Sequence, residues 1–285
     1  MYYLFLFWLL LATSNEPPPA QTMLIDVHAH IGSFRGFEIG EEVLLDNMRR
    51  YNIRFALVSN LDCANLSVTR NLNEIRANQA TLEFAQKNQS RIRGLLWARP
   101  NDGSAENLEK FLKSNNGTFV GIKFHPEFNQ FAADDAHVDP YLVLCEKYHL
   151  VAVFHSGRAG SNSDPEKIYA LARRHPGVPF VLYHMGFFAS HDRAIHVASL
   201  ARQRQDALLY LETAQVEPDA VLQAIKELGS DAILFGTDAT YYGREHYSKY
   251  EKLLQALRKN LSPEDYYKVT AGNAIRLFQL KLGAD

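Results

Sequence analysis

Two cysteines in 285 residues, Cys63 and Cys145, are too few and too far apart for a disulfide framework or a CxxC metal site. They read as buried free thiols, which a reducing compartment maintains. No charge of one sign prevails: 30 Lys and Arg face 32 Asp and Glu, a formal net charge of −2. No basic run occurs, which argues against nucleic acid or an anionic membrane as the main partner. The glycines of "HAHIGSFRG" miss the GxGxxG spacing of a dinucleotide-binding turn. There is no internal repeat, and no low-complexity tract beyond "PPP". The longest apolar run, Met1 to Ala12, has twelve residues, short of the ~20 that cross a bilayer as a helix. It also lacks the basic start of a secretory signal, since the first Lys or Arg is Arg35. An atypical signal, a weak membrane anchor and sequence upstream of a start at Met23 compete as readings. The last is preferred because Met23 directly precedes the first strand. In each, residues 1–22 lie outside the fold, one domain covers residues 23–285, and the expected compartment is the cytoplasm.

What is present is an alternation. "LIDVHAH" is a short apolar run, and "EEVLLDNMRRY" (41–51) has apolar positions at helical spacing. Strands are predicted at 53–60, 92–100, 118–126, 151–157, 178–186, 207–214 and 231–239. Helices are predicted at 71–88, 104–117, 138–149, 164–177, 192–204, 217–229 and 246–259, with more helix to the end. Ser104 and Asp164 stand where helix caps belong, and Pro165 enters at a first turn. Eight strand-then-helix units over about 260 residues predict a (β/α)8 barrel of parallel strands. An open doubly wound sheet is the rival, and it lacks its phosphate turn.

Polar residues gather at the predicted strand ends. Residues two apart on a strand share a face, so Asp26, His28 and His30 are expected to point together. Cα atoms about 7 Å apart let two imidazoles converge on one ion at roughly 2.1 Å. An isolated HxH is weak evidence. Later strands, however, end on Lys123 and His125, His155, His184, Glu212 and Asp238. Five of eleven histidines thus meet on the rim where barrels build their sites. Buried imidazoles and carboxylates crowded together are costly unless a dication takes them as ligands. The cluster reads as a metal site. His137, His149, His175, His191, His196 and His246 fall in loops or helices, where a solvated histidine is the default. Phe187 and Phe188 are expected to pack, or to wall a pocket for an apolar substrate.

"IDVHAHIG", "GIKFHP", "VFHSG", "VLYHMG", "YLETA", "ILFGTDAT" and "GNAIRLF" together resemble the amidohydrolase superfamily, in its amidohydrolase 2 branch, from Met23 to about Leu280. The resemblance implies a divalent metal, zinc first, held by His28, His30, His155 and Asp238. It makes His184 a second-metal ligand or an acid/base residue, and Asp238 a proton shuttle. Lys123 stands on the strand that carries a bridging carboxylated lysine in two-metal members, and would otherwise pair with a substrate carboxylate. His125 is a candidate substrate ligand and Glu212 a brace for a histidine or lysine.

The leading expectation is hydrolysis of an amide, lactone or ester of a small molecule by a metal-activated water. Non-oxidative decarboxylation of an aromatic or unsaturated acid is the alternative, and a catalytically silent metal barrel the third. Specificity is expected in the loops after the strands, of which residues 125–137 form the longest. Self-association into a homo-oligomer is left open.

Overall fold

A computed structural model describes residues 23–37, 39–64, 74–115 and 117–282. The predicted tail, 1–22, lies outside them. The eight strands are β1 (Leu24–Ile31), β2 (Ile53–Asn60), β3 (Ile92–Ala98), β4 (Phe119–Phe124), β5 (Val151–His155), β6 (Pro179–Tyr183), β7 (Leu208–Glu212) and β8 (Ile233–Leu234). They pair in sequence order, all parallel. The ring is drawn shut where His30 N–H donates to Ala239 O (2.6 Å) and Ala239 N–H to His28 O (3.0 Å). The architecture is a nearly closed (β/α)8 barrel, as expected.

Helices begin where capping chemistry places them. Ser104 Oγ accepts Asn107 N–H at 3.3 Å to open Ala105–Ser114, and Asp164 Oδ1 accepts Glu166 N–H at 3.0 Å to open Pro165–Arg174. The helix expected over 71–88 runs over Glu74–Lys87, its first predicted residues lying outside those described. The helix expected over 246–259 is found as a 3-10 segment, Gly243–Tyr250, kinked at Glu245, followed by an α-helix, Glu251–Asn260. β8 is far shorter than its prediction. After Leu234 the chain leaves β7 for β1, as Val27 N–H donates to Phe235 O at 3.1 Å.

Alternation along the strands separates two apolar layers. Phe55, Leu57, Val151, Val153 and Val181 fill the barrel, closed below by Ala271 and Phe278. Ala56, Val58, Phe124 and Phe154 face the helices and pack with Leu44, Met48, Phe84 and Ile168. β1 breaks the rule: its pairing with β2 shifts register between Asp26 and Ala29. Ile25 and Val27 point inward, yet so does His28, which stacks on Tyr183 inside the barrel at 3.7 Å. Asp26 therefore does not share a face with His28 and His30. It turns outward, where Thr237 Oγ1 (2.6 Å) and Tyr247 OH (2.8 Å) donate to its carboxylate. Cys63 and Cys145 are buried free thiols, and burial raises the pKa of both. Among the described residues no helix is long and apolar enough to cross a membrane.

Candidate active site

Inward positions at the upper ends of β1, β4, β5 and β7, with the turns after β6 and β8, carry every predicted site residue. Three of their atoms form a tight triangle. His28 Nε2 and His30 Nε2 stand 3.1 Å apart, and Asp238 Oδ1 lies 3.4 and 3.1 Å from them. His28 Nδ1 faces the acceptor Glu212 Oε2 at 3.3 Å, and His30 Nδ1 faces Ser59 O at 3.3 Å and Ser59 Oγ at 3.0 Å, both able to accept. The tautomers assigned from these partners put hydrogen on each Nδ1. Two bare Nε2 lone pairs and a carboxylate oxygen then point at one another, a repulsive arrangement for which a cation is the physical remedy. Ligands about 2.1 Å from a tetrahedral ion are separated by about 3.4 Å, so the triangle has the edge length such an ion needs. The donor set fits a divalent metal.

Burial alone would raise the Asp238 carboxyl, but the neighbouring His30, with His184 and Lys123, holds it below its ordinary value. Gln215 Nε2 donates to its second oxygen at 3.0 Å. Glu212 is enclosed beneath. It accepts His184 N–H (3.0 Å) and Ala214 N–H (2.6 Å) besides facing His28, and burial raises its pKa. A methyl group on Gly236 would sit 2.2 Å from Glu212 Oε1, so only glycine leaves that carboxylate its place.

His184 follows an inward residue, Tyr183, and by alternation would face the helices. Its left-handed backbone, φ 67°, turns it to the pocket instead, and Asp238 has φ 61°. Such conformations cost of order 1–3 kcal/mol in a non-glycine residue and concentrate at functional sites. His184 Nδ1 meets Ala214 O at 3.1 Å, leaving Nε2 to the pocket. Burial lowers its pKa to about 4, against the pull of Asp238.

Lys123 is fully enclosed, its Nζ 3.8 Å above the Tyr183 ring, and makes no ion pair among the described residues. Burial lowers its pKa to about 7, opposed by Asp238 and Glu212. His125 Nδ1 accepts Phe128 N–H at 3.3 Å, and its ring stacks between His155 (4.0 Å) and Phe128 (3.9 Å). His155 lines the same pocket but stands outside the triangle of His28, His30 and Asp238. A second convergence of donor atoms, His28, His184 and Glu212, lies below it.

An apolar wall adjoins the imidazoles, with Phe128 stacked on His125 and Phe187 4.8 Å from His184 and 5.4 Å from His155. Phe34, Leu61, Phe128, Phe187 and Tyr241 complete a cavity of about 60 Å³. Of these, only Phe187 was singled out from sequence. Phe34, four residues after His30, was open to the rule that loops after barrel strands build the mouth. The loop 125–137 is not alone in shaping the rim, because the turns after β1, β5 and β8 contribute as much. His246 corrects an expectation: it is buried, its Nε2 3.0 Å from Thr237 O and its Nδ1 accepting Tyr242 N–H at 3.2 Å. It anchors the turn that carries Asp238. His137, His149 and His196 are exposed as expected, and His175 is paired to Asp139 at 2.6 Å.

No curated protein sequence matches this chain. Solved structures do. A 2,6-dihydroxybenzoate decarboxylase from Rhizobium is 16% identical with a TM-score of 0.66, covering 90% of this chain and 99% of its own. A 5-carboxyvanillate decarboxylase from Sphingomonas paucimobilis is 15% identical with a TM-score of 0.66, covering 91% and 100%. Another, from Novosphingobium aromaticivorans, complexed with manganese and 4-hydroxy-3-methoxy-5-nitrobenzoic acid, is 14% identical with a TM-score of 0.66, covering 91% and 97%. At such identities the likeness is one of fold. The sequence itself matches the Amidohydrolase family model, of the amidohydrolase 2 type, over residues 25–280. That span takes in all eight strands but for Leu24, and every residue of the triangle, and on it the chain belongs to the amidohydrolase family.

Proposed function

We propose that this protein is a metal-dependent carboxy-lyase that releases CO₂ from a small aromatic or unsaturated carboxylic acid, in preference to the hydrolysis expected from sequence. The observation that carries the reading is one pocket lined both by the imidazoles and carboxylate of the triangle and by the apolar rings of Phe34, Phe128, Phe187 and Tyr241. The decarboxylases among the similar structures support it.

His28, His30 and Asp238 would hold a divalent metal, with His155 as a fourth donor. Zinc suits this N/O set, and manganese is the ion named in a similar structure. When bound, the metal supplies a Lewis acid for a carboxylate and a neighbouring oxygen. The apolar wall takes the flat body of the acid and excludes water from the bond that breaks, which favours a neutral CO₂ leaving group. That bond's electron pair stays on carbon and must be met by a proton. That proton comes from water, and Asp238 and His184, which both line the pocket, are the groups placed to relay it. Lys123, if charged, lies where it would draw a carboxylate inward.

One observation favours the second reading, hydrolysis of an amide, lactone or ester. The Asp238 carboxylate lines the pocket beside His28 and His30, where it is placed to receive a proton from an attacking water. The zinc- and manganese-loaded protein should be assayed against hydroxybenzoates, unsaturated acids, lactones and amides with CO₂ detection. Release of CO₂ equal to acid consumed is expected. Turnover of a lactone or amide without CO₂ would overturn the carboxy-lyase reading.

A further inference from the structure

Past His155 and Phe187 the pocket opens into a second cavity of about 580 Å³, lined also by Glu127, Arg158, Ser161, Ser163 and Phe188. Three features of its lining lack an internal purpose. Arg158 is exposed and makes no hydrogen bond or ion pair through its guanidinium among the described residues. Ser161 Oγ is buried without a hydrogen-bond partner among them. Phe188 exposes 88% of its surface, an apolar ring left in water beside the cavity.

The loop that presents Arg158 is built to hold its shape. Gly157 N–H donates to Ser163 O (2.8 Å) and Ser161 N–H to Arg158 O (3.2 Å). Asp164 accepts Gly160 N–H at 2.7 Å and is clamped by Arg193 Nε at 2.8 Å. A side chain at position 157 would strike Ser163 Oγ at 2.6 Å and Ser161 Oγ at 2.9 Å, so glycine lets the loop close on itself. Glu127 is the acidic lining residue, and Ser163 N–H and Oγ–H both engage its Oε1 at 3.2 Å. The Arg158 charge is left for a ligand.

We propose that this vestibule binds the distal end of an elongated substrate and that Arg158 selects an anionic group there. The inference rests on the carboxy-lyase reading for where the reacting carboxylate lies, at His28, His30 and Asp238. The substrate class is then a carboxylic acid with a flat body, short of the vestibule, and a second carboxylate or similar anion on an arm reaching into it. The guanidinium fork takes the anion in two parallel hydrogen bonds, and Phe188 covers the arm.

The test uses the manganese-loaded full chain and calorimetric titration with three probes. They are 2,6-dihydroxybenzoate, the same acid carrying a succinamide arm para to its carboxylate, and the methyl ester of that arm. The arm ending in a free carboxylate is expected to bind about tenfold more tightly than its ester, a value typical of one charge-assisted contact. Arg158→Ala and Arg158→Gln should reduce that preference to within about twofold. Lys259→Ala, an exposed cation on a distant helix, should keep it. Equal binding of arm and ester by the unaltered protein, preference surviving in Arg158→Ala, or no binding of either extended probe each overturns the proposal. If the preference appears and depends on Arg158 while no bound acid yields CO₂, the reaction is wrong and the vestibule stands.

Discussion

Glu212→Gln should weaken metal binding although Glu212 lies outside the triangle. Three donors converge on its two oxygens: Ala214 N–H on Oε1, and His184 N–H with His28 Nδ1–H on Oε2. Glutamine has the same shape but one acceptor oxygen and an NH₂ group. Either the amide faces Ala214 N–H, or it faces His184 and His28. At least one buried donor then meets another donor, at about 1–3 kcal/mol. If His28 yields, its ring loses the partner that keeps Nε2 bare, and metal affinity should fall about 10–100-fold, or about 1.4–2.7 kcal/mol. At about 2–4 °C per kcal/mol for a chain approaching this size, the melting temperature should drop by roughly 2–12 °C. Chelator-competition titration with zinc and manganese reads the first quantity, calorimetry with and without metal the second. Gly236→Ala approaches the same carboxylate from behind, where the added methyl would lie 2.2 Å from Oε1, and should lower affinity in the same direction. Unchanged affinity in both variants would refute the claim that Glu212 orients His28.

Asp238→Asn keeps one ligating oxygen and cannot accept a proton, so turnover should fall about 10²–10⁴-fold with most metal retained; near-normal turnover would end the proton-carrying role. His28→Ala should lose metal first, as elemental analysis would show. The same analysis on the unaltered protein is expected to find about one divalent ion per chain, whereas two equivalents with a carbamate on Lys123 would replace the one-metal assignment. Glu74 is pushed up by burial from 4.5 to about 7, though it accepts Arg99 N–H (2.8 Å) and Ser104 N–H (3.0 Å). The folded chain keeps a proton that the unfolded chain releases, so stability should decline by about 3 kcal/mol from pH 4.5 to 7, and Glu74→Gln should flatten that slope in denaturant titrations. A chain starting at Met23 should match the full chain in melting temperature and turnover, and a marked loss of either would show that residues 1–22 pack on the barrel.

How much was legible before the structure follows from how local each signal is. β2 ends where its apolar run ends, and the helix at 192–204 was read to the residue, because turn chemistry and periodicity act over a few positions. The rim histidines were legible for the same reason, each closing an apolar strand. The direction of a side chain was harder. Asp26 was misplaced because a register shift inside β1 carries no composition signal, and His184 reaches the pocket only through a left-handed backbone. The burial of His246 has no local signal, because its partners, Thr237 and Tyr242, are brought to it by a turn whose path depends on barrel closure. The aromatic wall comes from loops far apart in sequence, and one sequence offers no means of pairing them.

The seam between the last and first strands has a mechanical consequence. β8 contributes two residues of regular pairing, and β1 is met largely through the segment holding Ala239. His28 and His30 stand on one lip of that seam and Asp238 on the other, 208 positions apart along the chain (238 − 30). An ion shared among them would act as a clasp on a hoop. Because the ion binds only the closed ring, it would stabilise that ring by mass action, by about 2.7 kcal/mol at a free concentration a hundred times its Kd. Ligand geometry and ring closure would then be one event. A chain lacking its final strand and the turn after it would keep its histidines but lose the carboxylate that ties them across the seam, and the ion's departure would be felt first as slack between the two ends of the barrel wall.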